Sequence, residues 1–205
     1  MPKITDIKQQ KRSSERFSLY IDGRYSLSLG NLELSNSGLR IGQELTGDEV
    51  EKWQSKALEA KAYNTALSQL SYRRRSRREI AGYLKRKEYD EDIAASVIRR
   101  LEDLGLVDDA AFAAAWIADR QLLRPRSRRT LQVELMQKGI DRDTIAEALS
   151  RVSEDSQIDA LTDLIERKRR QSSYADAQKL MAFLARQGYG YDQIKKALAR
   201  LDELS

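Results

Sequence analysis

The chain has 205 residues, 40% hydrophobic and 34% charged, with 37 Lys and Arg against 32 Asp and Glu, for a formal net charge of +5. It contains neither cysteine nor histidine. Disulfides, thiol nucleophiles and thiolate metal sites are therefore excluded, and the commonest general base and metal ligand is missing, so most hydrolase and metalloenzyme chemistries fall away and no catalytic residue, cofactor or metal is expected.

Residues 1–50 read as a small β-rich cap. Phe17, Leu19 and Ile21 alternate before Asp22-Gly23, and Tyr25, Leu27 and Leu29 alternate after it, which predicts a hairpin. A two-residue Asp-Gly loop would pair Leu19 with Ser26 and scatter the apolar residues over both faces. A three-residue loop ending in a left-handed Gly23 pairs Leu19 with Tyr25 and Phe17 with Leu27, and is the register expected. Leu32, Leu34, Leu39, Ile41 and Leu45, punctuated by Gly38, Gly42 and Gly47, should pack this hairpin against the next part of the chain, as strand or short helix. The polar start, Met1 to Arg16, has no signal-peptide core.

At Thr46 alternation gives way to helical spacing. Thr46 with Glu49 forms a capping box that starts a helix at Gly47, and its signal continues to Ser71, with room for a break near Ser55. Ser76 with Glu79 opens a helix to Lys87, and Asp90 caps another through Ile93, Val97, Ile98 and Leu101 to Gly105. The next unit starts after Asp108-Asp109, runs through Phe112, Trp116 and Ile117, breaks at Arg124-Pro125, resumes from Ser127 to Lys138, turns at Gly139 and resumes after Asp141. The last helices are expected over 156–171, 174–187 and 191–204, with Ser173 as an N-cap and Gly188 as a stop. The longest apolar run, Ala110 to Ala118, falls short of the ~20 residues that span a bilayer; no membrane partner and a cytoplasmic location are expected.

These elements repeat. S-R-R-E-I-A-G-Y-L-K-R-K-E-Y-D from Ser76, S-R-R-T-L-Q-V-E-L-M-Q-K-G-I-D from Ser127 and D-A-Q-K-L-M-A-F-L-A-R-Q-G-Y-G from Asp176 superpose Ile80, Leu131 and Leu180, then Leu84, Leu135 and Leu184. The fold class expected is mainly α: three tandem three-helix repeats at 56–106, 107–154 and 155–205, behind an N-terminal cap at 1–50 that contains a β-hairpin. Short helices of this kind stand only by burying their Leu and Ala stripes against neighbours.

Glycine-rich phosphate loops are absent from the sequence. The acid pairs Asp90 and Asp92, Asp108 and Asp109, and Asp141 and Asp143 sit at predicted helix starts, where carboxylates satisfy free amides. Phe112 and Trp116, four apart on an apolar face, read as core. The basic residues are the functional candidates. Arg73, Arg74, Arg75, Arg77 and Arg78 form one cluster, Arg120, Arg124, Arg126, Arg128 and Arg129 a second, and Arg167, Lys168, Arg169 and Arg170 a third, each beside the link between the first and second helices of its repeat. Stacking would align these links along one edge, giving a positive stripe for a polyanion or an acidic partner. Tyr72, beside the first cluster, could stack on an unpaired base.

The segments Arg73-x-Arg75-Ser76-x-x-Glu79-Ile80, Gly105-Leu106-Val107-Asp108-Asp109-x-x-Phe112-Ala113-x-x-Trp116 and Arg124-Pro125-x-Ser127-x-x-x-Leu131-x-x-Glu134-Leu135-x-x-Lys138-Gly139-Ile140 resemble the signatures of the bacterial RecX family. Ser127 departs from the glycine frequent there, but serves as a cap of the same helix start. The resemblance implies an elongated, curved and largely monomeric array. It also implies a non-enzymatic modulator, mainly an inhibitor, of the recombinase RecA that binds the RecA filament on single-stranded DNA, in the setting of DNA repair, homologous recombination and the SOS response. Weak direct binding to single- or double-stranded DNA is expected alongside. The rival reading is a stand-alone, sequence-tolerant nucleic-acid-binding repeat protein.

Overall fold

The structure is a computed structural model that describes residues 1–11, 13–174 and 176–203. Strands β1 (Ile4–Gln10), β2 (Ser13–Ile21) and β3 (Arg24–Gly30) form an antiparallel sheet in the order β1-β2-β3. The first strand lies in the stretch that reads as a polar start, because only Ile4, fully buried, and Ile7, half-buried, mark its inner face.

The hairpin is as expected in position but not in register. Ile21 pairs with Arg24 across a two-residue loop in which Asp22 (φ 48°) and Gly23 (φ 76°) are both left-handed, the turn whose twist matches that of the strands. Tyr20 then opposes Tyr25 while Leu19 opposes Leu27 and Phe17 opposes Leu29. Ser26 is therefore the extra residue of a bulge, and the expected pairs Leu19 with Tyr25 and Phe17 with Leu27 do not form. The bulge corrects the alternation that a two-residue loop would otherwise scatter: Leu19, Ile21, Leu27 and Leu29 are buried together, and Tyr25 is 59% exposed.

Helix α1 (Asn31–Ser37) lays only half-buried Leu34 on the sheet core, and the loop after it sends Leu39 and Leu45 into that core, while Leu32 and Ile41, expected there too, are exposed. Thr46 and Glu49 form the capping box: the Thr46 hydroxyl accepts from the Glu49 amide at 3.2 Å and the Glu49 carboxylate accepts from the Thr46 amide at 2.7 Å. Helix α2 (Gly47–Leu70) runs unbroken past Ser55. Its first half packs Val50, Trp53 and Ala57 on the sheet, and its second half buries Ala62 and Ala66.

Two compact units are present, one formed by Met1–Arg73 with Ala81–Asp103 and the other by Arg74–Ile80 with the chain from Leu104 onward. The first contains the sheet, α1, α2, most of α3 (Arg77–Arg86) and α4 (Glu91–Asp103), with Leu84, Val97 and Leu101 fully buried. The second contains the start of α3 with α5 (Asp109–Leu123), α6 (Arg128–Gln137), α7 (Arg142–Ser150), α8 (Glu154–Arg169), α9 (Ala177–Arg186) and α10 (Tyr191–Glu203). From Gly47 onward no strand occurs among the described residues. Asp176, not Ser173, caps α9, accepting from the Gln178 amide at 2.8 Å. Ser173 lies in a short 3-10 turn instead, and the expected helix end at Leu204 falls outside the described residues.

The second helix of every repeat ends the same way. Tyr89, Ile140 and Tyr189 donate their amides to the carbonyls of Leu84, Leu135 and Leu184, and the residues between, Glu88 (φ 62°), Gly139 (φ 85°) and Gly188 (φ 86°), are left-handed. In the second unit each such end receives the helix start of the repeat before it. The fully buried Ser76 donates its hydroxyl to the Lys138 carbonyl at 2.7 Å, and Thr130 donates its hydroxyl to the Gln187 carbonyl at 2.8 Å beside buried Ser127. A side chain on Gly139 would meet Arg78, and one on Gly188 would meet Ser127 and Thr130. The first repeat has no predecessor, and there the exposed Glu88 occupies the left-handed position.

Candidate functional site

The second and third basic clusters meet. Pro125 stops α5, and the link after it places Arg124 and Arg126 opposite the last turn of α8, where Arg167 and Lys168 project. Between them lies a cleft of about 400 Å³ lined also by Leu123, Leu164, Phe183, Gln171 and Gln187, with no carboxylate in its wall. Lys168 Nζ lies 4.9 Å from the Phe183 ring centre and 4.9 Å from that of Tyr174, a cation held on aromatic faces.

Behind the cleft, the helix pair α5 and α6 builds a half-buried polar network. Glu134 accepts from Trp116 Nε1 at 2.8 Å and from Arg120 Nε at 2.8 Å, and its other oxygen lies 3.8 Å from Arg126 Nε. The Arg120 guanidinium stands 4.3 Å from the Trp116 ring centre and Lys138 Nζ 5.0 Å. Lys138 in turn pairs with Glu79 at 2.8 Å. A row of contacts thus leads from the start of α3, through Lys138, Trp116, Arg120, Glu134 and Arg126, to the cleft. Burial pushes the Tyr189 phenol above its ordinary range, an effect that nearby Arg126 partly opposes.

The other candidates are spread more widely. Arg73, Arg74, Arg77 and Arg78 are exposed and Arg75 is half-buried. The Arg77 amide donates to Asp109 at 2.8 Å, so this acid caps the start of α3, while Asp108 caps α5 and Asp141 caps α7. Arg128 bonds the Leu149 carbonyl at 2.8 Å and the Val152 carbonyl at 2.5 Å, closing the end of α7. Arg170 pairs with Glu166 one turn back at 2.5 Å. Arg124, Arg129 and Arg169 are exposed and make no ion pair among the described residues. Phe112 is buried and stacks on Trp116 at 5.8 Å. Sequence spacing missed Glu134 and Lys138 as the groups that hold the arginines, and Leu123 and Phe183 as the apolar part of the cleft, since each acts across helices.

Chemically, this arrangement is suited to an anion. Guanidinium groups offer paired donors that fit carboxylate and phosphate alike, and the wall contains no nucleophile paired with a base. No helix among the described residues is long and apolar enough to cross a membrane.

Comparison with known proteins assigns the chain. Residues 2–46 match the family model described as the regulatory protein RecX N-terminal domain, and residues 62–101, 108–149 and 154–198 match those for the first, second and third three-helix domains of RecX. The regulatory protein RecX of Bacillus subtilis is 34% identical, over 98% of this chain and 78% of that protein. That of Halalkalibacterium halodurans is also 34% identical, over 96% of this chain and 77% of its own length. A crystal structure of regulatory protein RecX superposes with a TM-score of 0.72 at 27% identity, covering 95% of this chain and 99% of that one. A RecX structure from Lactobacillus salivarius gives 0.61 at 27% identity over 71% and 97%. With its sheet, its three helical domains and relatives over nearly its whole length, the chain belongs to the RecX family of regulatory proteins.

Proposed function

We propose that this chain is a non-enzymatic modulator of the recombinase RecA, mainly an inhibitor, that binds the RecA filament on single-stranded DNA in the cytoplasm and limits its growth. The observation that carries the reading is the cleft in which Arg124, Arg126, Arg167 and Lys168 converge with no Asp or Glu in its lining, Arg126 being paired with Glu134 behind the wall, and from which side-chain contacts lead to the start of α3. A filament presents phosphates and acidic side chains in regular succession, and three repeats, at 56–106, 107–154 and 155–205, offer a monomer several weak contacts whose effect multiplies through effective concentration. Family membership supports a regulatory role and asks for no catalysis.

The test is RecA ATP hydrolysis on single-stranded DNA with this protein present in amounts too small to coat the DNA. Inhibition at such amounts is expected. Inhibition only when the protein saturates the DNA would favour the stand-alone nucleic-acid-binding reading, in which the same arginines act on phosphates alone.

A further inference from the structure

We infer that the cleft between the α5–α6 link and the end of α8 seats an acidic peptide segment carrying one bulky aliphatic side chain, supplied by the protein subunits of the filament and not by its DNA. The inference rests on the function proposed above and deepens it. Three features of the wall carry it.

The first is charge. Four cations converge on the cleft and Asp and Glu are missing from its lining, Arg126 alone of the four being paired with a carboxylate among the described residues, Glu134 behind the wall, so the lining favours an anion, with guanidinium geometry suited to carboxylates. The second is apolar surface in the wrong place for a solvated face. Leu122 and Leu123 end α5 at 76% and 68% exposure, next to those cations, and Leu123 forms one lip of the cleft with Pro125 and Leu164 behind it. An aliphatic side chain laid there would cover Leu123 and remove its apolar area from water. Phosphodiester alone would leave it bare.

The third feature separates peptide from nucleic acid. Single strands are held by flat aromatic platforms on which bases stack, and Phe183 is the one aromatic ring in the wall. That ring is engaged: Lys168 lies 4.9 Å from its centre and Tyr174 packs on it at 5.2 Å, tilted by 58°. What remains open is aliphatic, with two amide side chains in the lining to pair with peptide groups: Gln187, and Gln171, whose oxygen accepts from Lys168 at 3.2 Å while its NH2 can donate. A volume of about 400 Å³ is in the range that anchors a small ligand or a single inserted side chain.

The experiment uses the full chain with Leu123 replaced by the photoreactive p-benzoylphenylalanine, illuminated with RecA filaments on poly(dT), and the crosslink mapped by mass spectrometry. The expected crosslink is to RecA polypeptide, at an aliphatic residue flanked by carboxylates. A crosslink to the DNA, to a second copy of this chain, or to nothing while the labelled protein still inhibits would overturn the inference. Two variants give an independent arm. Leu123→Ser should weaken filament binding about tenfold and leave oligo(dT) binding unchanged, and Arg167→Glu should weaken filament binding at least as much. Because Leu123 is exposed, the melting temperature of Leu123→Ser should match that of the unmodified chain. Filament affinity unchanged in Leu123→Ser would overturn the peptide anchor. Failure of the function proposed above reads differently, since there the unmodified chain itself would not inhibit RecA.

Discussion

The junctions between repeats depend on two glycines, and the cost of replacing them can be worked from the geometry. Gly188 has a φ of 86°, a backbone that costs an alanine roughly 1–2 kcal/mol. An added Cβ there would also stand 2.5 Å from Ser127 Oγ and 2.5 Å from Thr130 Oγ1. Both hydroxyls would have to turn away, forfeiting the Thr130 bond to the Gln187 carbonyl and the Ser127 cap of α6, at about 1 kcal/mol each. Gly188→Ala is therefore expected to cost about 3–4 kcal/mol. Gly139→Ala should cost at least as much, because its Cβ would stand 2.5 Å from the Cβ of Arg78, an atom fixed to the helix backbone. Gly105 is the control, left-handed at 66° with no atom within 4 Å of an added methyl group, so Gly105→Ala should lose only the roughly 1–2 kcal/mol of backbone strain. In thermal unfolding followed by far-ultraviolet circular dichroism, the extra ~2 kcal/mol should separate Gly188→Ala from Gly105→Ala by about 4–8 °C. Equal losses at the three glycines would refute the packed junction.

The converse substitution, Glu88→Gly, should raise stability by about 0.5–1 kcal/mol in urea unfolding by relieving left-handed strain where no preceding repeat packs; a loss would contradict this. Arg128 and Arg129 are both exposed, but only Arg128 bonds the carbonyls at the end of α7, so Arg128→Glu should destabilise by about 1–2 kcal/mol while Arg129→Glu should stay within about 0.5 kcal/mol; matching losses would remove the capping role. Hydrogen bonds from the Thr144 hydroxyl and amide hold the Asp141 carboxyl below its ordinary value of 3.8. The folded pKa is depressed, so this stabilisation is complete above 3.8 and is lost as pH falls through the lower folded value. Asp141→Asn keeps a cap but does not titrate, and its stability should fall less steeply on the acid side; superimposable acid profiles would refute the linkage.

The helices were legible because their signals are local. Thr46 with Glu49, Ser127, Asp141 and Gly139 mark starts and stops within a few residues, and the leucines at Leu84, Leu135 and Leu184 fix the buried face. Register in the sheet was less legible, since one bulged residue, Ser26, inverts every pairing drawn from the loop. The start of α9 shows how local cues compete: Ser173 is a plausible cap in isolation, while the repeat alignment itself points to Asp176. The arginines were visible as clusters, but composition could not tell Arg128, spent on α7 carbonyls, from Arg129 beside it, or reveal that Glu134 gathers Arg120 and Trp116. Those roles arise between helices that only the fold brings together.

In the function proposed above, the basic row and its cleft engage the RecA filament. The most direct measurement is the amount of protein needed to halve RecA ATP hydrolysis on single-stranded DNA, for the unmodified chain and for a variant with Arg78, Arg124, Arg129 and Arg167 all changed to Glu. These four are exposed, and none makes an ion pair among the described residues, so the variant should fold with nearly unchanged stability. The expected result is inhibition by the unmodified chain below DNA-coating amounts, weakening steeply as salt rises, and inhibition lost in the variant at physiological salt. Full inhibition by the variant at that salt would contradict it.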